Sequence, residues 1–254
     1  MMKKFKNYIY KFPAVRNLVH FIKTDMDLMY EKEDLNDEYY QKVKSSGDRE
    51  LEHQIGRLTN YKKIITEISD KKLPGDIIEF GTWQGFSLLW IAYLLEREGL
   101  FFKKIVGIDG FVGLPNSEGI FPKGGFKNTS LKKCRNNFIF SNKLYPITKR
   151  NVFIEQFLYS QKEEIKMRIK DITKNKFCFI HIDCDISSSV KEIFEIIKKG
   201  DILTDTCYLL FDDYGTMDSY KNTVDGLLKE IGNKWIIKEH SKTDQTKNFI
   251  LQKR

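Results

Sequence analysis

The stretch DIIEFGTWQGFSLLWIAYLLEREGLFFKKIVGIDG, residues 76–110, holds two hydrophobic rhythms, and the switch between them decides the fold. Ile77–Gly81 is a short apolar run closed by glycine, Phe86–Arg97 has the length and texture of a helix, and Ile105–Asp109 is a short apolar run again. Brief continuous apolar runs of this kind predict buried strands, and a longer segment between them predicts a crossover helix. The alternation continues downstream. Further strands are expected at Leu144–Thr148, Phe177–Asp183 and Tyr208–Asp212, with helical segments over 130–139, 152–170 and 188–199. Strands that alternate with helices build a parallel sheet covered on both faces. After a helix near 218–231, the runs Lys234–Glu239 and Asn248–Gln252 flank the polar stretch His240–Lys247, which predicts an antiparallel hairpin at the sheet edge. The expected fold is a doubly wound α/β sheet of seven mostly parallel strands.

Upstream the texture differs. Residues 1–72 contain no β-rich run, and Leu51, Ile55, Leu58, Tyr61, Ile65 and Ile68 recur at spacings of three and four, which predicts an amphipathic helix. The turn at Lys71-Lys72-Leu73-Pro74-Gly75 ends it. We expect a helical N-terminal extension over 1–72 and an α/β domain over 73–254.

Composition limits the partners. The chain carries a formal charge of +8, yet only eight of its 43 basic residues are arginines, and the excess is spread along the sequence. Readers of base edges and phosphates rely on the bidentate guanidinium, so nucleic acid is not expected as a partner. Residues 1–23 hold six basic groups and no acid, while 24–38 hold seven acids and one lysine, a pattern that suits pairing between the two segments. The longest apolar stretch, Phe86–Leu95, is about half the roughly 20 residues of a membrane span. No apolar run and small-residue cleavage site follow the N-terminal lysines, so a secretory signal is not expected. Cys134, Cys178, Cys184 and Cys207 form no CxxC pair and sit in or beside apolar runs, so reduced core thiols in a cytoplasmic protein are expected.

In a doubly wound sheet, ligands bind beyond the carboxyl ends of the strands. The first strand opens into Glu79-Phe80-Gly81-Thr82-Trp83-Gln84-Gly85, a glycine turn that lets a ligand approach backbone amides at a helix start. The spacing E-x-G-x-x-x-G is not the three-glycine dinucleotide fingerprint. The second strand ends in Asp109, placed to accept both hydroxyl hydrogens of a ribose. Together these point to an adenosine-containing cofactor. The fourth and fifth strands open into Asp183-Cys184-Asp185 and Asp212-Asp213-Tyr214. If they are neighbours, their tips lie roughly 5 Å apart, and four carboxylates crowd one rim unless a hard cation such as Mg²⁺ or a shared proton relieves them. Asp185 also reads as a helix cap, beside Ser187, Ser188, and Ser189 with Glu192 as a capping box.

The set Pro74-Gly75-Asp76, Glu79-x-Gly81-x-Trp83-x-Gly85, Asp109-Gly110-Phe111-Val112-Gly113-Leu114-Pro115, His181-Ile182-Asp183-x-Asp185 and Asp212-Asp213-Tyr214 resembles the macrocin O-methyltransferase family, over roughly residues 50–240. The resemblance implies a Rossmann-like, S-adenosylmethionine-dependent enzyme that methylates sugar hydroxyls with Mg²⁺. It places Glu79, Gly81, Thr82 and Gly85 at the methionine end of the cofactor, with Asp109 on the ribose and Gly110 and Phe111 beside it. It matches Asp183, Asp212 and Asp213 to the metal-binding acids and Asp183 to the base. Two departures bear on the acceptor: the family's Asp-Gly-Asp is Asp183-Cys184-Asp185 here, and the aromatic two residues further on is Ser187. His181 is a rival base, although a strand residue in that place is expected to pack beneath the site; His240, in the expected hairpin loop, receives no role. The glycine-rich segment Phe111–Phe126 reads as a lid. The acceptor is expected to contain a sugar, and the enzyme to form a homo-oligomer. Two other readings compete: a metal-dependent glycosyltransferase using a nucleotide-sugar through Asp183-x-Asp185, and a non-catalytic basic binding module, which leaves the strand-end acids unexplained.

Overall fold

The computed structural model describes residues 49–144, 151–243 and 245–254. Its elements in chain order are α1 (Arg49–Asp70), β1 (Asp76–Phe80), α2 (Phe86–Arg97), β2 (Ile105–Asp109), α3 (Leu131–Leu144), β3 (Val152–Gln156), α4 (Lys162–Ile172), β4 (Phe177–Ile182), α5 (Ser187–Gly200), β5 (Leu203–Phe211), α6 (Asp218–Ile231), β6 (Trp235–Lys242) and β7 (Lys247–Lys253). The strands form one sheet in the order β3-β2-β1-β4-β5-β7-β6. β1 to β5 pair in parallel, and β7 runs antiparallel to both β5 and β6. This is the expected doubly wound sheet with its C-terminal hairpin. The compact unit Gly56–Arg254 contains all of it. Of the helical extension expected over 1–72, residues 1–48 lie outside the described residues, and α1 makes up most of the rest.

Two expectations need correction. Leu144 is the last residue of α3, positions 145–148 of the expected third strand lie outside the described residues, and the third strand is Val152–Gln156, which we read as the start of a helix. β3 is an edge strand with one fully buried residue, Ile154, so its apolar signal is weak. β6 runs on to Lys242, so His240 lies in a strand rather than a loop. There it accepts Asn248 Nδ2 at 2.8 Å on Nδ1 and meets Glu67 Oε1 at 2.5 Å through Nε2.

β1 and β4 are buried at every residue, as strands with helices on both faces must be. Side chains alternate along a strand, so each strand feeds two layers. Ile78, Phe80, Ile180, Ile182, Leu209 and Phe211 join one core with residues of α4, α5 and α6. Glu79, Phe179, His181, Tyr208 and Leu210 therefore face the other way, and α1 lies against them: Tyr61 packs on Phe179 and His181, and Glu67 accepts Tyr208 Oη at 2.7 Å. Continued two residues further, this second face holds Asp183 and Asp212. One turn of α1 back from Tyr61 is Arg57. Four residues of helix and two of strand both advance about 6 to 7 Å, so the stagger that seats Tyr61 on His181 brings Arg57 to the two aspartates.

Glu67 near the other end of α1 ties the helix to the sheet. Its carboxylate accepts hydrogen bonds from Lys71, Tyr208 and His240. Partial burial works to raise its pKa, but these bonds outweigh it and hold the group at about 2. A carboxyl depressed on folding contributes stability above its unfolded value of about 4.5, and that stability is lost as pH falls towards 2. Glu67→Gln should cost about 1–2 kcal/mol at pH 7, a discount on the full shift because the side chain is partly exposed. Urea midpoints should converge with wild type as pH drops from 4.5 towards 2. A gap that stays constant with pH would refute it.

Candidate active site

The order of strands puts the switch point between β1 and β4, where the chain leaves in opposite directions from neighbouring tips. The ladder continues one step past the strands: Gly81 N–H donates to Ile108 O at 2.9 Å, Asp183 N–H to Phe80 O at 2.9 Å, and Asp212 N–H to Ile182 O at 3.0 Å. The glycine turn, Asp109 and the four acids of β4 and β5 thus share one rim.

On the β1–β2 side, Asp109 organises the backbone. Oδ1 accepts Phe111 N–H at 2.6 Å and Oδ2 accepts Trp83 N–H at 2.8 Å. Trp83 and Phe111 both have positive φ, 40° and 54°, and so does Asp185 at 60°. Left-handed backbone costs an ordinary residue about 1–2 kcal/mol, and each of these three turns is held by a strand-end carboxylate that accepts its N–H; for Asp185 the acceptor is Asp213 Oδ2 at 3.0 Å. Each carboxylate oxygen has a second lone pair, so Asp109 keeps acceptor capacity for a ribose. Burial raises its pKa, against the pull of the Phe111, Trp83 and Thr82 amides. Gly85 (φ 85°) is the N-cap of α2. Thr82 and Phe111 are buried beside this turn, and Gly110 O accepts Gln156 Nε2 at 3.0 Å. Trp83 and Phe126 of the long loop are partly exposed and meet edge to face, centroids 5.8 Å apart.

Glu79 and His181 are fully enclosed. His181 Nδ1 lies 2.7 Å from Glu79 Oε1, and Tyr61 Oη lies 3.2 Å from His181 Nε2. Glu79 Oε2 is buried with no hydrogen-bond partner among the described residues. His181 therefore packs beneath the rim, the place expected for a strand residue, and Glu79 supports it from β1.

The acids above them divide into two sets. Arg57 Nη1 donates to Asp183 Oδ2 and to Asp212 Oδ2, each at 3.2 Å. Asp183, Asp185 and Asp213 each bring a carboxylate oxygen within 4.8 Å of the others. The acids expected to gather were Asp183, Asp212 and Asp213; Asp185 stands with them here, and Asp212 turns to Arg57. Burial, followed by the neighbouring acids, raises Asp183 and Asp213 well above the usual carboxylate range, with Arg57 opposing, and pushes Asp185 up to about 8. Three hard oxygen donors at this spacing fit a divalent cation such as Mg²⁺ or Mn²⁺.

Asp185 does not cap α5. The N-cap is Ile186, with no side-chain cap bond, and the Ser189–Glu192 box does not form there. Glu118 of the long loop does the work instead: it accepts Ser187 N–H at 2.7 Å, Ser187 Oγ at 2.5 Å and Ser219 Oγ at 2.6 Å. The loop after Asp109 is thereby fastened to the starts of α5 and α6.

A family model described as Macrocin-O-methyltransferase (TylF) matches residues 52–232, most of the chain. The chain belongs to the macrocin O-methyltransferase family. It is an S-adenosylmethionine-dependent O-methyltransferase, and that family membership sets aside the glycosyltransferase and binding-module readings. Solved O-methyltransferases share the fold. NovP is 16% identical, with TM-score 0.62 over 79% of this chain and 81% of its own. CalS11, named as a TDP-rhamnose 3'-O-methyltransferase of calicheamicin biosynthesis, is 17% identical, with TM-score 0.54 over 93% and 94%. The Bacillus cereus O-methyltransferase, solved with S-adenosylhomocysteine, is 15% identical, with TM-score 0.50 over 92% and 98%. No curated protein matches the sequence. No helix among the described residues is long and apolar enough to cross a membrane, and all four cysteines are buried and free.

For a macrocin O-methyltransferase, the sequence reading overlooked Arg57, Tyr61 as a hydrogen-bonding group, and Glu118. Arg57 had a visible signal. It falls on the buried stripe of α1 with Tyr61, Ile64 and Ile68, and a charge on a buried stripe needs a partner.

Proposed function

We propose that the enzyme methylates a hydroxyl of a sugar or sugar-containing acceptor, assisted by a divalent cation, Mg²⁺ in the cytoplasm. The carrying observation is the shared rim, where the glycine turn of β1 and Asp109 lie beside a cluster of acids. The family supports the reaction type, and CalS11, named for a TDP-sugar, supports the acceptor class.

Transfer from a sulfonium is an in-line displacement in which the cofactor carries the leaving group. This chain must therefore hold the cofactor, orient an alcohol oxygen and accept its proton. We assign the cofactor to the turn Gly81–Gly85, with Thr82, and to Asp109, Gly110 and Phe111, and the proton to a carboxylate oxygen of Asp183. His181, enclosed between Glu79 and Tyr61, steadies the tip of β4 from below. Asp183, Asp185 and Asp213 are the residues to hold a divalent ion, which when bound supplies Lewis acidity to the acceptor hydroxyl. The loop fastened by Glu118 excludes water from the rim. The acceptor enters beside Trp83 and Phe126.

Incubation with labelled S-adenosylmethionine and a panel of nucleoside-diphosphate sugars and polysaccharide fragments tests the proposal. Label should appear in an ether on a sugar ring; transfer to none of them, with transfer to a non-sugar catechol or phenol, would replace the acceptor class. Transfer should fall steeply in EDTA and return with Mg²⁺, while S-adenosylhomocysteine affinity changes little. Full activity in excess chelator would remove the cation from the reading. Asp109→Ala loses a ribose acceptor and frees the Trp83 and Phe111 turns together. Calorimetry should show S-adenosylhomocysteine binding weakened by about 1–3 kcal/mol. Unchanged binding would place the cofactor elsewhere.

A further inference from the structure

Both ends of the chain share its positive charge, but within the α/β domain the excess is gathered in one segment. Phe111 to Asn151 carry eight basic residues and one acid, in a chain whose net charge is +8. The acid is Glu118, whose carboxylate is taken up by Ser187 and Ser219. Lys123, Lys127, Lys132 and Lys133, from the long loop to the first turn of α3, are exposed and make no ion pair among the described residues. Lys133 Nζ reaches a backbone carbonyl, Asn128 O, at 2.7 Å. Other surface lysines are matched to acids: Lys166 to Glu163 at 2.6 Å, Lys176 to Asp201 at 2.7 Å and Lys247 to Glu239 at 2.9 Å. The first turn of α3 has no acid, although a helix start favours negative charge. Two lysines there, with Lys127 close by in sequence, repel one another and the helix dipole until an anion joins them.

This basic face adjoins the methyl-transfer rim. Asn128 Oδ1 accepts Trp83 Nε1–H at 3.1 Å, Thr129 Oγ1 donates to Trp83 O at 3.0 Å, and a Cβ on Gly85 would meet Cys134 Sγ of α3 at 2.9 Å. α3 lies towards β3, where Arg135 Nε donates to Ile154 O at 3.2 Å, whereas the acids stand on β4 and β5. The rim is thus positive on one flank and negative on the other. We infer that the basic face receives the phosphates of the acceptor, so that the sugar is presented as a glycosyl diphosphate. The inference rests on the proposed sugar methylation and deepens it by naming the acceptor's charge. Lysine, a point charge on a flexible stem, suits phosphate oxygens, and the acids opposite repel them. The two flanks therefore orient the acceptor, with its diphosphate towards α3 and its sugar towards Asp183, and the uncompensated lysines steer it in.

The test follows the three tryptophan indole N–H signals of the ¹⁵N-labelled full chain by NMR, with S-adenosylhomocysteine present. The Trp83 signal is assigned by its loss in Trp83→Phe, and Trp235, on the far edge strand β6, serves as the internal control. Inorganic diphosphate and UDP-glucose should each move Trp83 and leave Trp235 in place, while methyl glucoside moves neither. Affinity for both should fall by about tenfold or more between about 50 and 300 mM salt. Lys127→Gln with Lys132→Gln should weaken both by about tenfold, the same pair changed to Arg should stay within about threefold, and Lys174→Gln, exposed at the opposite ends of the strands, should change nothing. Farnesyl diphosphate separates the sources: tighter binding of UDP-glucose assigns a nucleotide-linked sugar, and tighter binding of farnesyl diphosphate a lipid-linked one. No movement of Trp83 with any diphosphate up to about 10 mM, an equal response to methyl glucoside, or wild-type binding by the Gln pair overturns the inference. The salt series on wild type decides the matter even if the Gln pair fails to fold. Failure of wild type to bind S-adenosylhomocysteine would instead sink the cofactor assignment, and diphosphate binding without transfer to any sugar would sink the acceptor class while leaving the anion site in place.

Discussion

Asp183→Asn should lower methyl transfer by about a hundredfold to ten-thousandfold, the range of a positioned general base, with S-adenosylhomocysteine affinity changed by less than about threefold. Asp183 stands at the tip of β4, one hydrogen bond past the ladder to β1, and it is the acid that both touches Arg57 and belongs to the cluster with Asp185 and Asp213. Asparagine matches its shape. Its amide must turn its oxygen to Arg57 Nη1, since the alternative faces donor to donor, and its NH₂ then points at the rim with no capacity to take a proton. Folding should be unharmed or slightly favoured, because the substitution removes one of the mutually repelling carboxylates. Burial raises the Asp183 carboxyl, ahead of the effect of Asp212, with Arg57 opposing. Activity within about threefold of wild type, in a variant that still binds S-adenosylhomocysteine, would take the proton away from Asp183.

Much of this rim was legible because it is local in sequence. A strand that ends in Gly81, a strand that ends in Asp109 and strands that end in acid pairs each announce themselves within ten residues, and the helix-strand alternation tells which ends face the ligand. Side chains that act across the sheet left weaker traces. Arg57 meets Asp183 and Asp212 over separations of 126 and 155 residues, and no local pattern encodes that register. Glu118 caps α5 from 69 residues away, which is why Asp185 looked like the cap: in sequence it was the nearest acid to an uncapped helix start. The backbone at Asp185 is left-handed and passes its N–H to Asp213, leaving the side chain free of that duty. β3 was misplaced for a different reason. An edge strand buries one face only in part, so the apolar run that marks β1 and β4 shrinks to Ile154 and its half-buried neighbours.

Gly81→Ala should remove the folded protein or lower its stability by about 3–5 kcal/mol, the scale of a core overlap that cannot relax. A Cβ at position 81 would sit 1.5 Å from the carbonyl oxygen of Asp183 and 2.6 Å from its carbonyl carbon, and both are backbone atoms. Relief would require separating the tips of β1 and β4, where Asp183 N–H bonds Phe80 O and Gly81 N–H bonds Ile108 O. The glycine is therefore demanded by the sheet before any cofactor arrives, and the same close approach brings the β1 turn to Asp183. Its φ of 93° adds the cost of a left-handed alanine. Two other glycines separate these contributions. Gly99→Ala has φ 70° with open space around the new carbon, so it should lose only about 1 kcal/mol. Gly226→Ala, inside α6 with nothing near and no positive φ, should gain about 1 kcal/mol from helix propensity. Thermal melts of the three variants should therefore fall in the order Gly226→Ala above wild type, Gly99→Ala slightly below, and Gly81→Ala far below or absent from the soluble fraction. A Gly81→Ala protein that melts beside Gly99→Ala would mean that the β1 and β4 tips part freely, and the rim could not hold Asp183 against the cofactor turn.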